Sequence, residues 1–99
     1  MVDKKPYIEM NFDKFDPNHV IRIFSEDVND EELVWHRDKE DRIIHVLEGT
    51  GWMLQLDNEE PVELEKGKGS YSIPKMVYHR IIKGEGSLTL EIQKREEYG

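Results

Sequence analysis

Two histidines and one aspartate offer the most chemistry in this chain. His36 and Asp38 stand two positions apart within residues 32–51, ELVWHRDKEDRIIHVLEGTG. In an extended strand, residues two apart share a face, so the pair would aim an imidazole and a carboxylate at one spot. His79 lies in a separate stretch, residues 69–81, GSYSIPKMVYHRI. Two imidazoles and a carboxylate that converge can hold a divalent metal; the set suits Fe(II), and Mn, Ni or Zn would accept it as well. On a solvated strand the same His-x-Asp pair would be a mere ion pair, which arises easily in a chain with 22 acidic residues.

Convergence of these three requires distant strands, and the composition favours strands. Alanine, the best helix former, is absent, whereas Val, Ile and Thr supply 18 residues. Ninety-nine residues suffice for one core, so residues 1–99 are expected to form a single domain. Strands are predicted over residues 7–12, 19–24, 33–38, 42–47, 52–57, 61–64, 70–73, 77–82 and 87–93. A turn at 13–18 contains Pro17, and residues 25–32 form a solvated acidic loop that Ser25 or Asp27 could cap. Residues 48–51 and 83–86 are read as glycine-bearing hairpins, residues 65–69 as a turn, and 74–76 as a corner. Polar residues 1–6 and 94–99 form the ends. Within 33–38, alternation sets Val34, His36 and Asp38 against Leu33, Trp35 and Arg37. In the strand from 52, Trp52, Leu54 and Leu56 share a face; near the end Leu88, Leu90 and Ile92 face the core. Short strands about ten residues apart, with turns joining neighbours, predict an all-β, mostly antiparallel sandwich or barrel.

Several functions are excluded by what is lacking. No cysteine is present, so disulfides, thiolate metal sites and Cys nucleophiles are ruled out. A net charge of -8 argues against a general nucleic-acid binder, which must neutralise phosphates. No apolar run approaches the roughly 20 residues of a membrane helix. The start, MVDKKPYIE, lacks a signal-peptide core, so a soluble cytoplasmic protein is expected. Gly67 and Gly69 lead into no helix and so make no phosphate loop; no serine near His79 has nucleophile-elbow context.

Residues 36–82 resemble the cupins, small double-stranded β-helix barrels. Their first motif runs His-x-His, three or four residues, Glu, then a strand ending in glycine; HVLEGTG at 45–51 resembles that end. Their second motif, Gly, about five residues, Pro-x-Gly, two residues, His, is matched by Gly67 or Gly69 and by the run from Pro74 to His79, with Met76 where glycine is usual. The resemblance implies an antiparallel double-stranded β-helix (a jelly-roll barrel) with His36 and His79 as metal ligands. Asp38 takes the place of the second histidine, and Arg42 falls where the ligand Glu is usual. The order His-x-Asp then His also resembles the 2-oxoglutarate oxygenases, which share the barrel.

Arg42 admits three readings: a clamp for a substrate carboxylate or phosphate, a partner of Asp38 in place of a metal, or a solvated turn residue. If it faces inward, His45 does not. Tyr71 and Ile73 should face the interior with His79, where Tyr71 could offer its hydroxyl to a ligand or simply pack. Trp52 is expected at the cavity mouth or on a dimer face, and apolar surface left over by Trp35 suggests a homodimer. The function expected is a metal-dependent enzyme, such as an oxygenase or isomerase, acting on a small, anionic organic molecule. Its rival is a ligand-binding or dimeric interaction module with a degenerate, metal-free site.

Overall fold

The computed structural model describes residues 5–95; of the polar ends, residues 1–4 and 96–99 lie outside the described residues. Among the described residues there are eight strands: β1 (Tyr7–Asp13), β2 (Asp16–Phe24), β3 (Asp41–Thr50), β4 (Met53–Leu56), β5 (Val62–Glu63), β6 (Ser70–Ile73), β7 (His79–Ile82) and β8 (Glu85–Arg95). They form a five-stranded sheet in the order β1-β2-β8-β3-β6 and a three-stranded sheet β5-β4-β7. Every strand pairing between these elements is antiparallel.

Most of these partners are distant in sequence. Only β1–β2 and β4–β5 are sequence neighbours that pair. The expected hairpin at 48–51 is a corner instead, because β3 pairs with β8 while β4 pairs with β7 in the other sheet. The expected hairpin at 83–86 is likewise a corner, taking the chain from β7 back to β8. The two corners pack on each other at Gly84, where a Cβ would stand 2.3 Å from Trp52 N and 2.4 Å from both Gly51 C and Thr50 O.

Local chemistry explains two further departures from expectation. The β1–β2 turn is tighter than predicted: Asp13 pairs with Asp16, and the Asp13 carboxylate accepts the Phe15 N–H at 2.9 Å. Pro17 therefore sits inside β2, at a register shift where its missing N–H costs no ladder bond. In the acidic loop Ser25 caps the first turn, its Oγ accepting the Asp27 N–H at 3.0 Å, but the 3₁₀ turn that follows (Asp30–Glu32) is capped by Asn29. Asn29 Oδ1 accepts the Glu31 N–H, and Glu32 reaches back to the Asn29 N–H, a capping box.

One apolar core joins both sheets. Val20 and Phe24 of β2, Ile44 and Val46 of β3, Leu54 of β4, and Leu88, Leu90 and Ile92 of β8 all lie inside. Ile73 of β6 faces inward with them. β1 is inverted relative to this pattern, exposing Ile8, Met10 and Phe12 on its outer face. Those three lie beside Ile23, Ile21 and His19 of β2, Phe12 stacking on the His19 ring at 4.2 Å.

Candidate metal and ligand site

The predicted strand at 33–38 is a single backbone bridge. His36 N–H donates to His79 O at 3.0 Å, and His79 N–H returns to His36 O at 2.8 Å. Residues 30–32 are coiled and Leu33 is not extended (φ -93°, ψ 70°), so alternation fails at its start. Leu33 packs against the core while Val34 is exposed, and both reach the pocket rim. From Trp35 onward the parity holds. Trp35 and Arg37 lie outside, in cation–π contact with Arg80 (4.9 Å) and Tyr78 (5.1 Å) of the facing segment.

Antiparallel residues that exchange both backbone bonds project their side chains from one face. The His36 and His79 rings accordingly lie 4.3 Å apart, centroid to centroid. Asp38, two residues on, joins them, and one ligand atom from each of the three lies within 4.8 Å of the others. Common ligands at ~2.1 Å from an ion would be ~3–3.5 Å apart, so modest rotamer adjustment closes the set.

The corner that delivers His79 is held by the same segment. Met76 N–H donates to Asp38 O and Lys75 N–H to Asp41 Oδ1, both at 2.7 Å. Val77 N–H closes back on Pro74 O, and Met76, third in this turn, has φ +63°. A type II turn calls for glycine there, which gives the family's glycine its physical reason.

Each histidine has its Nδ1 against the carbonyl two residues before it: His36 on Val34 O at 3.0 Å, His79 on Val77 O at 2.9 Å. A carbonyl only accepts, so each Nδ1 carries the proton and each Nε2 of a neutral ring presents a lone pair. His79 Nε2 lies 3.3 Å from Asp38 Oδ2, and that buried oxygen has no hydrogen bond of good geometry. Two lone pairs facing each other require a proton or a metal cation between them. The donor set and the orphaned oxygen therefore fit a divalent ion.

Arg42 faces inward in phase with Ile44 and Val46, and His45 points out. Its Nη2 lies 3.2 Å from Asp38 Oδ1 and 2.8 Å from Glu40 Oε1, so it is not a solvated turn residue. Burial alone would raise the Asp38 pKa. A proton on His79 Nε2, and then the Arg42 guanidinium and the charge of protonated histidine rings, outweigh it and hold the carboxyl below its ordinary value.

The other two expected ligand-binding residues are placed elsewhere. Trp52 has 0% exposure at the crossing of the corners, where it packs near Phe24 and donates from Nε1 to Glu85 O. It is a core residue, not a mouth or dimer residue, because the corner turns its ring inward. Tyr71 and Ile73 do face inward, but the Tyr71 hydroxyl donates to Glu63 O and accepts the Glu65 N–H, both at 2.9 Å. That hydroxyl braces β6 against the chain after β5 instead of meeting a ligand.

Beside the metal-type cluster lies a cavity of about 240 Å³, lined by Tyr7, Phe24, Leu33 and Ile81 as well as by His36, Asp38 and Arg42. Arg22 also lines it. Sequence reading missed this residue; the available signal was its phase with Val20 and Phe24, masked by the equally apolar Ile21 and Ile23.

Two antiparallel sheets exchanging strands through crossed corners, with exposed His36, partly buried Asp38 and buried His79 drawn together, form a double-stranded β-helix, and the chain has the cupin fold. It is similar to a cupin domain from Bordetella pertussis, with TM-score 0.60 and 16% identity over 97% of this chain and 100% of that one. It is also similar to the protein NMB1881 from Neisseria meningitidis, with TM-score 0.60 and 15% identity over 95% of this chain and 89% of that one. No protein-family model and no curated protein matches the chain.

Proposed function

We propose that the chain binds one divalent ion (Fe, Mn, Ni or Zn) through His36, Asp38 and His79, next to a pocket for a small organic molecule. The supporting observation is the pair of Nδ1–H bonds to Val34 O and Val77 O, which leave both Nε2 lone pairs free for an ion, with His79 Nε2 3.3 Å from the orphaned Asp38 Oδ2. An ion so bound supplies Lewis acidity, oxygen activation or hydroxide to the pocket's occupant. Arg42 orients Asp38 through Oδ1 and leaves Oδ2 facing His79.

Elemental analysis of protein purified without a metal-affinity tag tests this. About one equivalent of a transition ion is expected, lost in both His36→Ala and His79→Ala while the folded circular-dichroism spectrum persists. Absence of metal from the native protein, even after dialysis against these ions, would sink the reading. A second reading then takes over, favoured by the Arg42–Asp38 pair: a metal-free binding module in which Arg42 and a protonated His79 satisfy the carboxylate.

A second copy of the chain is the occupant we assign to the outer face of β1. β1 is the edge of its sheet, so its apolar residues and unpaired backbone edge suit symmetric pairing. Light scattering should give a dimer for the native chain and a monomer for Met10→Lys; a native monomer would rule this out.

A further inference from the structure

Arg22 is inward-facing on β2 between Val20 and Phe24, and only 8% exposed. Its guanidinium lies 3.8 Å over the Tyr7 ring. Its Nη2 donates to Glu9 Oε1 at 3.1 Å, an oxygen that also lies 3.7 Å from Lys94 Nζ. One carboxylate thus serves two cations. Arg22 Nε is buried with no acceptor. A buried charged donor left unpaired is costly, and native proteins seldom keep one without a use.

This residue borders the cavity whose other walls include Tyr7, Phe24, Leu33 and Ile81. We infer that Arg22 is the anion-binding residue of this pocket and that its ligand is a small carboxylate with an apolar body. The carboxylate meets the guanidinium by partly displacing Glu9, while the apolar part lies among the Tyr7, Phe24, Leu33 and Ile81 side chains. The cavity, about 240 Å³, lies below the roughly 300–1,000 Å³ typical of sites for drug-sized ligands, which limits the occupant to a small molecule. Guanidinium selects carboxylate over a neutral isostere because the charge-assisted bond is the stronger one.

The inference rests on reading this pocket as a ligand site but not on the ion, so the measurement is made on chelator-treated protein. Benzoate and its neutral isostere benzamide serve as probes, followed by amide chemical-shift titration. Benzoate should bind saturably and roughly tenfold or more tighter than benzamide, a preference absent in Arg22→Gln. Glu9→Gln, at a half-buried position, should tighten benzoate several-fold by removing the competing carboxylate. No saturable benzoate binding, equal binding of benzamide, or a preference that survives Arg22→Gln overturns the inference. If Arg22→Gln does not fold, Glu9→Gln decides, and an unchanged benzoate affinity there also overturns it. Metal content, measured separately, reports on the ion alone.

Discussion

Gly84→Ala is expected to destabilise the protein by about 4 kcal/mol or more, a large part of the roughly 5–15 kcal/mol that holds a domain folded. The added methyl would stand 2.3 Å from Trp52 N and 2.4 Å from Gly51 C and Thr50 O. All three are main-chain atoms, which have no rotamer into which to retreat. Relief requires the β3–β4 and β7–β8 corners to part by about an ångström, because packed carbons sit ~3.5–4.0 Å apart. Parting them disturbs Trp52, at 0% exposure, and loss of a buried tryptophan alone costs about 3–5 kcal/mol. Gly67→Ala is the control. Nothing lies within 4 Å of its Cβ position, and only its φ of +80° is penalised, by about 1–2 kcal/mol. Urea unfolding checks the difference; equal midpoints for the two variants would refute the crossed-corner account.

Arg42→Glu is expected to raise affinity for Zn²⁺ or Mn²⁺ by at least about tenfold. The native guanidinium lies 3.2 Å from Asp38 Oδ1 and so stands close to any ion on that carboxylate. At an effective dielectric near 20, a unit charge ~5 Å from a divalent ion repels it by several kcal/mol before salt screening. Glutamate removes that repulsion and adds an acceptor where cupins place a ligand carboxylate. Arg42→Met separates the two effects, since it removes the charge without supplying oxygen, and its gain should be smaller. Calorimetric titration of metal-stripped protein, with a competing chelator, gives all three affinities. A fall in affinity would mean instead that Arg42 chiefly keeps Asp38 in position.

The strands were largely legible because their signals are local. Alternation marked Leu88, Leu90 and Ile92 as inward, and Pro74 with its neighbours marked the corner before His79. The partners were not legible. Nothing in residues 48–51 says that β3 leaves for one sheet and β4 for another; that depends on β8 and β7, some thirty or more residues away. The bonds that hold Trp52 and Tyr71 were not legible for the same reason: their partners, Glu85 O and Glu63 O, are fixed by packing and not by spacing. The meeting of His36, Asp38 and His79 could be anticipated from spacing and motif. The bridge that effects it could not, since residues 33–38 alternate as a longer strand would. The Asn29 capping box is written locally, in Asn-Asp-Glu-Glu.

The seam between residues 36 and 79 consists of a reciprocal pair of main-chain bonds, continued by the Met76 amide on Asp38 O and the Lys75 amide on Asp41 Oδ1. Such a narrow zipper melts locally at far less cost than the long β3–β8 ladder beside it. Exchange of whatever occupies the hollow can therefore proceed by unfastening a few rungs, with the barrel's body intact. An occupant that grips both imidazoles acts in return as a rivet across the gap.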